Sequence, residues 1–107
     1  MNIDIVAREL TAVARELIGF RLMGRLESIL KPFGFTESRG KLFSETLGLS
    51  EYNKLRKQVA KSLQANGYTK APKGPLPGTY FEHESGERIL VQGNQMHRGW
   101  AFVIETA

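Results

Sequence analysis

The apolar positions along this chain change period as the sequence advances. From residue 3 to residue 17 they follow a 3-4-3-4 spacing: Ile3, Val6, Leu10, Val13 and Leu17. That spacing puts all five on one stripe of an α-helix, with Asn2 as its cap. The phrase Ala-Arg-Glu-Leu stands at 7–10 and again at 14–17, one heptad later. With the stripe at heptad positions a and d, Ala7 and Ala14 fall at e, where a parallel coiled coil uses charge. The stripe is about two heptads long, short of the three or four that specify a coiled coil. It predicts a helix docked on its own domain, with homodimerisation through helix 2–18 as the alternative. A second stripe follows Gly19: Phe20, Met23, Leu26, Ile29, Leu30 and Phe33, ended by Pro32 and Gly34.

The helical period returns after residue 50. Tyr52, Leu55, Val59 and Leu63 make one apolar face of a helix over 51–65, with Ser50 as its cap. The segment "LFSETLG" before it predicts a short helix, with Gly48 in the turn, so the two together read as a helix-turn-helix pair. "LKPFGFT" at 30–36 is echoed by "LQANGYT" at 63–69. Each reads as a helix end, a left-handed glycine, an aromatic anchor and then an extended segment.

Past residue 78 the period falls to two. In "GTYFEHESGERILVQ", Tyr80, Glu82 and Glu84 face one way and Phe81 and His83 the other, with Ser85-Gly86 as the turn into a return strand carrying Ile89, Leu90 and Val91. "GNQMHRG" reads as a loop, and "WAFVIET" as a third strand with Trp100, Phe102 and Ile104 toward the core. "TKAPKGPLPG" at 69–78 reads as a Pro/Gly loop. The expected fold is α+β in one domain, 1–107. It comprises two N-terminal helices (the leader, 1–33), a helix-turn-helix-like pair and a C-terminal three-stranded antiparallel sheet, the latter two over 41–107.

Charge adds a direction to this picture. The chain has 15 basic and 11 acidic residues, net +4. Residues 51–74 hold six of the bases against one acid, Glu51, and 52–74 hold no acid at all. Lys54, Lys57, Gln58 and Lys61 lie opposite the apolar face of the helix, Arg56 lies to one flank, and Lys70 and Lys73 extend the basic region. A helix built only for solubility mixes signs, so this face implies an anionic partner. The absence of cysteine excludes disulfides and thiolate metal sites. The N-terminus lacks the pattern of a signal peptide, and no apolar run reaches membrane-spanning length, so a cytoplasmic protein with no membrane partner is expected.

Catalytic chemistry finds little footing. Asp4 is the one aspartate of the chain, whereas metal-dependent nucleases cluster carboxylates. Strand alternation turns His83 away from Glu82 and Glu84, and "SRGK" at 38–41 matches Ser-x-x-Lys only by composition. No glycine-rich phosphate cradle is present. The expectation is a non-enzymatic protein with no cofactor and no metal.

The stretch 41–92 resembles the winged helix-turn-helix domains of bacterial and phage DNA-binding proteins. The residues that carry the likeness are "ETLGLSEYNKLRKQVAKSLQANGYTK" and "GERILVQ". The resemblance implies that helix 51–65 is a recognition helix and 79–92 a wing, with Asn53, Lys54, Lys57 and Lys61 toward the groove and Arg88 on the wing. Glu82, Glu84 and Glu87 on the wing, Glu51 at the helix start and a third strand at 100–105 depart from that pattern. The ending Leu-x-x-x-Gly-aromatic before strands is also similar to small mRNA-interferase toxins of the HicA kind. That likeness implies a histidine at the start of the first strand, where this chain has Thr79, with His83 further along. The functional expectation is a small basic nucleic-acid-binding protein, DNA favoured, of phage or mobile-element type. Its site would be Asn53, Lys54, Arg56, Lys57, Lys61, Lys70, Lys73 and Arg88. The alternatives are a protein-binding inhibitor or adaptor that sets the same face on an acidic partner, and a HicA-like ribonuclease.

Overall fold

The structure, a computed structural model, describes residues 24–107. The stripe and heptad phrase of helix 2–18 lie outside the described residues, as do Phe20 and Met23 of the second stripe. What is seen of helix α1 covers residues 24–30, where Leu26 and Leu30 are fully buried. A 3-10 turn, Lys31–Phe33, follows with Pro32 inside it, and Gly34 closes it at φ 82°. Then come β1 (Thr36–Ser38), β2 (Lys41–Phe43), α2 (Leu49–Ala65), β3 (Tyr68–Lys70), β4 (Thr79–His83), β5 (Arg88–Met96) and β6 (Gly99–Thr106).

The strands form one six-stranded antiparallel sheet in the order β1-β2-β6-β5-β4-β3. This corrects the expected three-stranded sheet. The three expected strands fall within β4, β5 and β6, inside the sheet, but "GNQMHRG" is not a loop: β5 continues through Gly93–Met96, paired to β6 as far as Gly99. The other three are each three residues long, too short to show a period of two. The expected helix-turn-helix is likewise absent. "LFSETLG" is not a helix: Lys41–Phe43 is β2, with Leu42 paired to Ile104 and buried, and Leu47 bridges Trp100. A segment this short cannot nucleate a helix by itself. Its backbone groups are instead taken up by β6, through Ser44 N–H to Phe102 C=O at 3.0 Å and a mutual pair between Leu47 and Trp100 at 2.7 Å. Helix α2 also starts earlier than the expected Ser50 cap: Gly48 holds the N-cap position with extended backbone, φ −65° and ψ 161°.

One face of the sheet carries α2. Tyr52, Leu55, Val59 and Leu63 pack with Leu26, Leu30, Leu42, Phe81, Ile89, Val91, Phe102 and Ile104 into one core. The Tyr52 ring stacks on Phe102 at 4.3 Å between centroids and tilts against Trp100 at 5.3 Å. Trp100 is half-buried and Phe102 and Ile104 are buried on this face, as their alternation predicts. Alternation also sends Tyr80 and Leu90, which pair across β4 and β5, to the opposite face, yet both are buried. The Pro/Gly loop covers them there: Leu76 N–H donates to the Tyr80 hydroxyl at 3.1 Å, and Gln92 Nε2 donates to Pro77 C=O at 2.8 Å. A Cβ at Gly74 would meet the Tyr80 ring at 2.5 Å, so the chain can lie this close only as glycine.

Candidate nucleic-acid interface

The exposed side of α2 is fixed by what its other side buries. With Tyr52, Leu55, Val59 and Leu63 locked into the core, Asn53, Lys54, Arg56, Lys57 and Lys61 are held toward solvent. Lys54, Lys57 and Lys61 stand at i, i+3 and i+7, a row about 10 Å long. Lys54 Nζ is 4.0 Å from Glu51, an exposed pair of little energetic weight. Lys57 and Lys61 have no ion-pair partner among the described residues. Like charges three and four residues apart cost a helix a few tenths of a kcal/mol per pair, a cost that a bound anion reverses. Arg56 is held differently. Its guanidinium carbon lies 5.1 Å from the centre of the Tyr52 ring, a cation–π contact that orders the side chain at the edge of the aromatic stack.

Comparison with protein-family models, with curated proteins and with solved structures found no match. Neither the winged-helix likeness nor the HicA likeness gains support from them.

The remaining expected site residues do not all join this face. Arg88 pairs with Glu82 across β5 and β4, one residue out of step with the buried Ile89, so it lies on the sheet face away from α2. Lys73 is exposed on the loop that covers that same far face. Lys70 is exposed at the end of edge strand β3, opposite Phe81. The eight residues therefore divide: five on α2, one at a sheet edge and two behind the sheet. Among the described residues, no helix is long and apolar enough to cross a membrane, and no group of three His, Asp or Glu is placed to hold a metal ion.

A polar cluster at the β4–β5 turn has no counterpart in the sequence reading. Three groups gather at His83 Nδ1: Ser85 Oγ at 2.8 Å, Arg25 Nη1 at 3.0 Å and the Ser85 N–H, which donates to it at 3.1 Å; Arg25 Nη1 also lies 3.3 Å from Nε2. Arg25 also reaches Glu87 at 3.4 Å, which ties α1 to the turn. The alternation argument turned His83 from Glu84, yet the turn brings both back together at Gly67. A Cβ there would meet Glu84 Cδ and His83 Nε2 at 3.2 Å each. These residues, with Gln64, Thr69, Glu82 and Gly86, line a shallow depression of about 380 Å³. Arg25 stands beside the second apolar stripe, and nothing in that segment marks its distant partner.

Beneath the cluster, Tyr68 is fully buried, its ring 4.8 Å from His83, and its hydroxyl has no well-formed hydrogen-bond partner among the described residues. Burial raises the Tyr68 phenol above its ordinary value; Arg25, through its charge and its approach to the hydroxyl at less than good hydrogen-bond geometry, lowers it by less, and Glu87 adds to the rise. An unpaired buried hydroxyl costs free energy, so Tyr68→Phe should leave stability unchanged or raise it by up to about 1 kcal/mol. The sign at high pH follows from the raised value. The hydroxyl ionises first in the unfolded chain, near pH 10, so wild type loses stability as pH climbs through and above that point. Tyr68→Phe should lack that loss. Chemical denaturation at neutral pH and at about pH 10.5 checks both, and a clearly less stable Tyr68→Phe at neutral pH means the hydroxyl has a partner after all.

Proposed function

We propose that this protein binds nucleic acid non-catalytically through the exposed side of α2, with Lys54, Lys57 and Lys61 on phosphates and Asn53 and Arg56 beside them. The observation that carries the reading is the row of lysines with almost no acid near it, on a helix whose other side is wholly committed to the core. A formed helix spends no backbone entropy on presenting its charges, and a fixed spacing of cations suits a regularly charged polymer. Phosphates along one strand recur about every 3.4 Å of duplex axis, so a 10 Å row meets two or three of them. The partner is double-stranded DNA by preference, and the setting is the cytoplasm of a phage- or mobile-element-bearing cell. With the segment directly before α2 extended rather than helical, no helix-turn-helix sets α2 across a groove; affinity then rests on the backbone contacts, and sequence preference is weak.

Fluorescence anisotropy with labelled duplex and single-stranded DNA and RNA, titrated at increasing salt, tests this. Binding should be strongest at about 50 mM salt, with log affinity falling against log salt at a slope of roughly −2 to −4 for the contacts named. A folded protein that binds none of these probes at low salt sinks the reading. The basic face would then belong to an acidic protein surface.

A further inference from the structure

The β5–β6 hairpin outruns the rest of the sheet. β4 pairs with β5 only from Arg88 to Val91, and on the other side β6 has its last neighbour in Leu47, bridged to Trp100. β5 and β6 nevertheless stay paired as far as Met96 and Gly99, with His97 and Arg98 in the turn. All residues from 93 to 98 are exposed, and none belongs to the core. A two-stranded ribbon without support from further strands or a helix is marginal in water. Folding alone therefore gives no reason for this extension.

The charge of the extension has one sign. From residue 88 to residue 104 the chain has no Asp or Glu, and the tip carries Arg98. Among the described residues Arg98 has no ion-pair partner. The turn at the other end of β5 is the opposite case: it holds Glu84 and Glu87, and Arg25 ties it to α1.

The ribbon is also rooted where α2 begins. Leu47, which exchanges backbone bonds with Trp100, stands two residues before the start of the helix at Leu49. Tyr52 packs on Trp100 and over Gly93, and Arg56 lies on the Tyr52 ring. Gln95 is paired with Trp100 and so shares its face, the one that carries α2. The basic positions thus run from Arg98 at the tip, past the root and Arg56, to Lys57 and Lys61 further along the helix. Glu51, the one acid of α2, already lies 4.0 Å from Lys54.

We propose that the β5–β6 tip is a second hold on the nucleic acid that α2 binds. Arg98 meets a backbone phosphate beyond the start of the helix, and the Gln95 amide donates to a nearby phosphate or sugar oxygen. The inference rests on the α2 reading. Both are groups that grip the backbone as well as bases, and in this role they position the polymer without reading its sequence. A hold at each end of one basic line fixes the path of the strand along α2.

Fluorescence anisotropy with labelled duplex DNA tests it, on wild type, Arg98→Gln and Lys57→Glu with Lys61→Glu. Arg98 is exposed, so Arg98→Gln should melt like wild type. It should bind roughly tenfold more weakly at about 50 mM salt, with a salt slope shallower by about 0.9, the share of one phosphate. A second measurement reads position directly. The chain has no cysteine, so His97→Cys takes a benzophenone label at the tip alone, and irradiation of the complex should attach it to the DNA. Arg98→Gln within about twofold of wild type and with an unchanged slope overturns the inference. So does a tip label that never reaches the DNA. If the Lys57 and Lys61 variant is weakened in either case, the α2 reading survives without the ribbon. A wild type that binds no duplex overturns both.

Discussion

Gly93→Ala is expected to lower stability by about 2–3 kcal/mol, a large effect for the addition of one methyl group. The Tyr52 ring lies directly over Gly93, and a Cβ built there would overlap its hydroxyl. Neither side can yield cheaply. Gly93 is held in register opposite Phe102, and Tyr52 is clamped by its stack on Phe102 and its tilt on Trp100. Relief requires the ring to leave, which opens the N-terminal end of the core and removes the platform under Arg56. For a chain of this size the melting temperature should fall by roughly 10 °C or more. The steric account makes a sharper statement through a double-mutant cycle. Tyr52→Leu alone costs packing, but in its presence Gly93→Ala should cost at least about 1 kcal/mol less than in wild type. Strict additivity would show that the damage comes from some other source.

Reversing the charge of the α2 row is the second large effect. Lys57→Glu with Lys61→Glu should weaken nucleic-acid affinity by about a hundredfold at low salt and make the salt slope shallower by about 2, because two phosphate contacts are lost. Both side chains are exposed and without an ion pair among the described residues, so the melting temperature should stay near that of wild type. The loss should be similar on every sequence tried, as befits contacts to the backbone. Binding within about threefold of wild type would place the interface elsewhere on the molecule, whatever affinity the parent protein shows.

The sequence exposed the parts of this fold whose residues announce their own periodicity. Helix α2 was legible from Tyr52, Leu55, Val59 and Leu63, and the central strands from the alternation around Phe81 and Phe102. Strands β1 and β3 were not, because three residues such as "TES" and "YTK" carry no period, and their pairing is decided by distant partners. A trace of them did exist. The paired phrases at 30–36 and 63–69 marked Gly34 and Gly67 as left-handed stops, each followed by an extended segment, and those segments are the two outermost strands. "LFSETLG" misled because Phe43 and Leu47, four residues apart, fit one face of a helix as well as one face of an extended segment, and only the presence of β6 decides between them. At the candidate site, exposure of the α2 lysines followed from the helix phase. The division of Arg88 and Lys73 from them did not, since net charge along a sequence says nothing about which face of a sheet receives it. The Arg25–His83–Ser85 cluster was invisible for the same reason, being assembled from a helix and a turn far apart in the chain.

The place of β6 in the strand order shapes how this protein comes together. Although it follows every other strand in sequence, it sits in the interior of the sheet between β2 and β5. Without β6, the β1–β2 hairpin and the β3–β4–β5 meander would share no strand pairing. Phe43 then finds Val103, and Leu42 finds Ile104, across most of the chain. Closing so long a loop carries its entropy cost before any pairing repays it, which makes such topologies slow to form. The pairing of β2 with β6 is thus the contact that joins two half-sheets into a cooperative unit.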